Sequence, residues 1–154
     1  MLIHDLAFDE CVQLLQRNSV GHLGCAKDDE PYVVPIHYSF DADQHVIYVV
    51  STLGQKVEWM RANPRVCLTV DEISDKNHWT TVVLNGAYEE IGDADVSNEA
   101  QKRSQRLFQQ RKEWWLPAMA KHAGEATRRV LVFQIRIDRM TGRRSRRSDV
   151  AGDE

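Results

Sequence analysis

The sequence predicts a mainly β protein, a small closed or split antiparallel barrel with a few short helices. Three observations predict it. Runs rich in β-branched and aromatic residues recur along the chain, parted by turn clusters such as KDDEP and DADQ. Segments with helical period are few and short. Strands and helices do not alternate regularly, which argues against a doubly wound parallel sheet.

The elements follow in order. Residues 8–18, FDECVQLLQRN, set Phe8, Val12 and Leu15 at helical spacing, with Asp5 or Asp9 as a cap. From Val20 the period changes. VGHLGCA reads as a first strand, KDDEP as a turn, YVVPIHYSF as a second strand, DADQ as a second turn and HVIYVVS as a third strand. Pro35 inside the second strand removes a ladder donor, so that strand is an edge or carries a bulge. GQKVEWMRANP is a short helix closed by Asn63-Pro64. RVCLTVDE is a fourth strand, and WTTVVLNGAYEEI a long fifth with a glycine at its middle. Residues 95–112 are polar and helix-prone, with Leu107 and Phe108 as anchors. EWWLPAMAKHAG connects to a sixth strand, RVLVFQIRID. The expectation is one domain over residues 1–142 and a mobile tail over 143–154.

Composition narrows the function. The 154 residues suit one domain, and 42% hydrophobic with 28% charged residues suits a globular one. No stretch reaches membrane-spanning length and no signal peptide opens the chain, which leaves the cytoplasm as the expected compartment and no membrane partner. Cys11, Cys25 and Cys67 are odd in number and widely spaced, as buried reduced thiols are. A net charge of −3 and strands without a basic, aromatic-laced face argue against nucleic acid, although RRSRR at residues 143–147 is locally basic.

Two stretches carry chemistry. In VVSTLGQK, residues 49–56, a strand ends and a helix begins. Ser51 and Thr52 bring hydroxyls, Gly54 lets backbone approach closely, and Lys56 brings a cation into the first helical turn, where free amides and the helix dipole favour an anion. The same residues would also serve as a plain cap followed by a surface lysine. In PYVVPIHYSF, His37 and Tyr38 must face opposite sides of a strand, so one can line a cavity while the other packs. The six histidines show neither H-x-H nor H-x-x-x-H spacing, and no metal centre is expected. Trp114 and Trp115 require burial, against a core, a second copy or a planar ligand.

The ordered set VGHLGCAKDDEPYVVPIHYSF, IYVVSTLGQKVEWMRANPRVCLTVDE and WTTVVLNGAYEEI resembles the pyridoxamine 5′-phosphate oxidase-related, FMN-binding split-barrel proteins, and within them the Nim-type nitroimidazole-resistance branch. The resemblance implies a six-stranded antiparallel split β-barrel and a homodimer that holds FMN at its subunit interface. It would lay Val34, Pro35 and Ile36 along the flavin ring with His37 and Tyr38 bordering it. It would set Ser51, Thr52 and Gln55 at the ribityl-phosphate end and pair Lys56 with the phosphate. Trp79, Thr80 and Thr81 would approach the flavin from the neighbouring side. It implies an oxidoreductase acting on a small molecule with a nicotinamide electron donor, and His37 is its candidate catalytic acid because its ordinary pKa lies near neutrality. The chain lacks the tryptophan–arginine tail of the oxidase proper, so oxidation of pyridoxamine phosphate itself is not expected. Two alternatives stand beside this: a non-catalytic flavin-binding or sensing protein, and a haem-handling barrel with His22, His37 or His78 as axial ligand.

Overall fold

A 17-residue strand is the spine of the molecule in the computed structural model, which describes residues 1–91, 102, 103, 106 and 130–147. This strand, β8 (Val130–Arg146), pairs along one side with β7 (His78–Glu90) and along the other with β5 (Val46–Thr52) and then β1 (Leu2–Asp5). The remaining strands are β2 (Val20–Lys27), β3 (Glu30–His37), β4 (Ser39–Asp41) and β6 (Arg65–Asp75). All pairings are antiparallel, in the order β3-β2-β6-β7-β8-β5-β4, with β1 added on β8. β3 and β5 come into contact, so the sheet curls towards a barrel.

The fold class is the one expected, with eight strands among the described residues where six were read. One addition is β1, too short to show a period. The other arises because the second expected strand breaks at Tyr38, whose amide donates to Ser19 O at 2.9 Å instead of joining a ladder. The KDDEP turn is as read: Asp28 and Asp29 both take positive φ, 50° and 63°, which a two-residue hairpin between paired Lys27 and Glu30 demands. Pro35 lies on the outermost strand, where its missing N–H costs no ladder bond. Gly86 marks a bulge between β7 and β8, and a Cβ there would lie 2.3 Å from Arg136 O, so only glycine fits.

The expected tail boundary at residue 143 is corrected. Arg143, Arg144, Ser145 and Arg146 belong to β8 and pair with β1 on one side. On the other side, Arg143 to Ser145 pair with the start of β7. Arg144 also donates to Glu10 at 2.9 Å. Alternation in this paired strand sets Arg144 and Arg146 on one face, the side of Glu10, and Arg143 on the other.

Two helices lie on this sheet. α1 (Phe8–Arg17) buries Cys11, Leu14 and Leu15, whereas Phe8, expected on its inner face, is 58% exposed. Neither Asp5 nor Asp9 caps it. Ala7 is the N-cap, and its amide donates to Glu10 Oε2 at 2.9 Å. α2 (Gln55–Ala62) buries Val57 and Met60, rests Trp59 on Tyr32 with ring centres 5.7 Å apart, and is tied to β2 by Asn63 Nδ2 donating to Ala26 O at 3.0 Å. The core runs through Leu23, Ile36, Tyr38, Ile47, Leu68, Leu84, Phe133 and Ile135 onto these helices. Trp114, Trp115, Leu107 and Phe108 lie outside the described residues.

Candidate functional site

The junction of β5 and α2 carries the most unusual charge in the described molecule. Thr52 ends β5, Gly54 is the N-cap of α2 in extended backbone, and no side chain caps the helix. The amides of the first turn therefore have no side-chain acceptor at the cap. A Cβ on Gly54 would meet nothing within 4 Å, so this glycine is not needed for protein packing. Lys56 follows, half-buried. Its ammonium makes no hydrogen bond or ion pair with any described residue. Burial lowers its pKa, and Cys25 on β2 is its electrostatic neighbour. A cation that loses water and gains no partner is costly unless an anion arrives. Gln55 is exposed beside it and Thr52 half-buried, while the Ser51 hydroxyl turns to Thr52 O at 3.0 Å. The donor set left for a ligand is thus Thr52, Gln55, Lys56 and the amides, which suits a phosphate ester.

β3 leads away from this point. Tyr32, which holds Trp59 of α2, and His37 stand at opposite ends of a stretch of about 17 Å at roughly 3.3 Å per residue. The outer edge of β3 has no neighbouring strand among the described residues, so its outward N–H and C=O groups are open to a ligand. Val34 is half-buried, Ile36 buried and Pro35 exposed. His37 has its ring on the outward face, and partial burial lowers its pKa. The Tyr38 side chain is fully buried and its hydroxyl donates to Leu15 O at 2.9 Å, so it packs α1 onto the barrel while His37 takes the outward side of the strand.

Trp79, Thr80 and Thr81 open β7 and are half-buried. They do not meet the β5–α2 junction within one chain. Along β8 the distance from Leu131, opposite Ser51, to Arg143, opposite Thr81, is about 40 Å of extended strand at roughly 3.3 Å per residue. Thr81 instead shares the outward face with His37, through Val20, which pairs with His37, and Asp71, which pairs with Thr81. That face also exposes Val33 at 66% and Val83 at 38%. Sequence reading missed this outward apolar face. Its signal was present: strands whose inward positions are already apolar carry further apolar residues at alternate outward positions.

His22 lies on the same outward face, while His78 opens β7, paired with Asp75 and with its Nδ1 2.8 Å from Asp75 Oδ2. Among the described residues no cluster of three His, Cys, Asp or Glu side chains could hold a metal, and no helix is long and apolar enough to cross a membrane.

With this geometry established, comparison places the chain among known proteins. It belongs to the pyridoxamine 5′-phosphate oxidase family, which it matches over residues 8–144. It is 30% identical to an uncharacterised protein of Rhizobium meliloti, over 93% of this chain and 95% of that one. The crystal structure of an FAD-binding protein from Mesorhizobium loti superposes with a TM-score of 0.77 at 36% identity, covering 94% of this chain and 99% of that one. A Bacteroides thetaiotaomicron protein named for 5-nitroimidazole antibiotic resistance shares the fold at a TM-score of 0.63 and 17% identity, covering 93% and 89%.

Proposed function

We propose that the protein binds the flavin nucleotide FMN and acts in the cytoplasm as a flavin-dependent oxidoreductase on a small molecule, with a nicotinamide electron donor. The observation that carries the cofactor reading is Lys56, a half-buried cation without a partner among the described residues at the uncapped start of α2. The ribityl phosphate takes that position, beside Thr52 and Gln55. The open edge of β3 at Val34, Pro35 and Ile36 runs from there towards His37 and offers backbone groups to a flavin ring. Bound flavin would supply the redox chemistry, and the chain supplies position and electrostatics. His37, with its lowered pKa and outward ring, is neutral at physiological pH and can accept or donate one proton beside the ring.

This reading includes a homodimer. Trp79 and Thr81 stand far from Lys56 along the sheet, and they share an exposed apolar face with Val20, Val33 and Val83. A second copy on that face would bury the valines and bring the start of β7 to the other copy's β3 edge. A stable interface of this kind hides on the order of 1,600 Å².

The FAD-binding Mesorhizobium loti protein, 36% identical, makes FAD the rival cofactor. FAD carries the same ribityl phosphate with a second one attached, so Lys56 serves either.

Chromatography of flavin released by heat from the purified or reconstituted protein tests the reading. FMN is the expected product, and FAD would move the assignment to the dinucleotide. A protein that neither carries flavin nor quenches flavin fluorescence at micromolar concentration ends the proposal. Turnover with a nicotinamide donor separates an enzyme from a flavin carrier. Sedimentation of the flavin-loaded protein as a monomer would remove the shared site.

A further inference from the structure

The phosphate end and the ring end of one ligand fall to two different elements in the reading above. Lys56 belongs to α2, and the open edge at Val34, Pro35 and Ile36 belongs to β3. We propose that Trp59, through its contact with Tyr32, sets the separation of the two and is a positioning residue for the flavin. The inference rests on the flavin reading and not on the dimer.

The ties of α2 leave this task to Trp59. Arg61 donates to Glu90 Oε1 on β7, and Asn63 Nδ2 donates to Ala26 O on β2 at 3.0 Å. Both grip the C-terminal end of the helix, and neither reaches β3. Val57 and Met60 enter the core. Trp59 follows Lys56 by three residues, so the two sit on one side of the helix. The Trp59 ring rests on Tyr32 with centres 5.7 Å apart and planes tilted by 59°, an arrangement aromatic pairs favour over a flat sandwich. Tyr32 pairs with Cys25 of β2, and Cys25 is the electrostatic neighbour of Lys56. Lys56 and Trp59 therefore meet the same cross-strand pair. From Tyr32 the strand reaches Val34 in about 7 Å, at roughly 3.3 Å per residue.

All of these residues come from one chain. Tyr32 alternates with Val33 and His37, so it faces inward while they face outward. A second copy on the outward face lies on the other side of the sheet from this contact.

Two-point attachment makes the second contact intramolecular, and its gain depends on how well the two points match the span of the ligand. Loosening the Trp59–Tyr32 contact should therefore cost a ligand that uses both points and spare one that uses a single point.

FMN, riboflavin and inorganic phosphate separate the points. FMN takes both, riboflavin the ring point and phosphate the Lys56 point. The flavins are titrated into the purified protein by fluorescence, and phosphate by its competition with FMN. Trp59→Ala should weaken FMN roughly three- to tenfold and leave riboflavin and phosphate unchanged. Trp59→Phe keeps a ring on Tyr32 and should restore most of the loss. Tyr32→Leu breaks the contact from the other side and should match Trp59→Ala, and the two together should cost no more than either alone. Thermal melts of the flavin-free variants check that the fold survives. The inference is overturned if FMN affinity ignores these variants, if riboflavin or phosphate falls as far as FMN, or if the two losses add. Wild type that binds no FMN overturns the flavin reading and this inference with it, whereas wild type that binds FMN as tightly as the variants overturns this inference alone.

Discussion

Asp41 and Lys56 each hold a charge away from water, and the molecule treats them in opposite ways. Asp41, 6% exposed at the end of β4, accepts from the amides of Asp43 and Gln44, both at 3.1 Å, and from Arg103 at 2.7 and 3.1 Å. Burial alone would raise its pKa, but the Arg103 guanidinium and the two amides outweigh burial and hold it below the usual value. Lys56 has burial with no hydrogen-bonding or charged partner among the described residues, and burial outweighs the small opposing effect of Cys25, so its pKa falls. A charge with all its partners supplied by the chain is a structural device. A charge without a partner among the described residues is open to a ligand. The contrast separates fold from function within one small barrel.

The strongest way to break the comparison is to remove Asp41. Asp41→Ala leaves two turn amides and Arg103 without their acceptor, and should lower folding stability by about 2–3 kcal/mol in chemical denaturation. Flavin affinity of the folded fraction should not change, because Asp41 belongs to the turn before β5 and not to the β5–α2 junction. A stable Asp41→Ala protein with weakened flavin binding would invert the two roles.

Removing Lys56 should do the reverse. Lys56→Ala takes away the only full charge placed at the phosphate in this reading. A charge-assisted bond of roughly 1.5–3 kcal/mol is lost, and FMN or FAD should bind about ten- to a hundredfold more weakly. Riboflavin has no phosphate and should bind unchanged. Equal losses for riboflavin and FMN would mean that the lysine acts through α2 and not through the phosphate.

Acid sharpens the contrast further. A carboxylate with a depressed pKa in the folded state stabilises the fold above its unfolded value, and that stability is lost as pH falls through the folded value. For Asp41 the window lies below the ordinary 3.8. The stability gap between wild type and Asp41→Asn should be full at neutral pH and should close as pH falls below that point. A gap that stays constant from neutral pH into acid would show that the carboxylate contributes shape and not charge.

How much of this was legible in the sequence varies with range. The hairpin of β2 and β3 could be read because Asp28-Asp29 and the alternating Val33, Val34, Pro35 and Ile36 are local signals. The phosphate-type junction could be read as a set of donors that would serve equally as a plain cap, because only the folded chain shows that no described carboxylate reaches Lys56. The Asp41–Arg103 pair spans 62 positions and has no local signature. Strand alternation sets Tyr38 opposite His37, so one packs while the other faces out, but only the folded chain shows which: the Tyr38 hydroxyl finds Leu15 O on α1. The run at residues 143–147 read as a tail because its charges were counted along the chain, whereas β1 and β7 take them up across it.

The smallest effect is the most discriminating. In the flavin-free protein Lys56 costs stability, because its charged form is less favourable folded than unfolded. The sign follows from the direction of its shift: a lysine whose folded pKa is lowered weakens the fold wherever it is charged, and ceases to do so as pH rises above its unfolded value. Lys56→Met keeps the aliphatic stem and removes the charge. At neutral pH it should stabilise the flavin-free protein by a few tenths to about 1 kcal/mol. With saturating FMN the order should reverse, because binding stabilises the fold by RT ln(1 + L/Kd), where L is the free FMN concentration, and wild type binds more tightly. Thermal melts of both proteins, with and without FMN, read four values, and the crossing of their order is the outcome to look for. If Lys56→Met is the less stable protein even without flavin, the chain itself satisfies the ammonium, and the difference between Asp41 and Lys56 disappears.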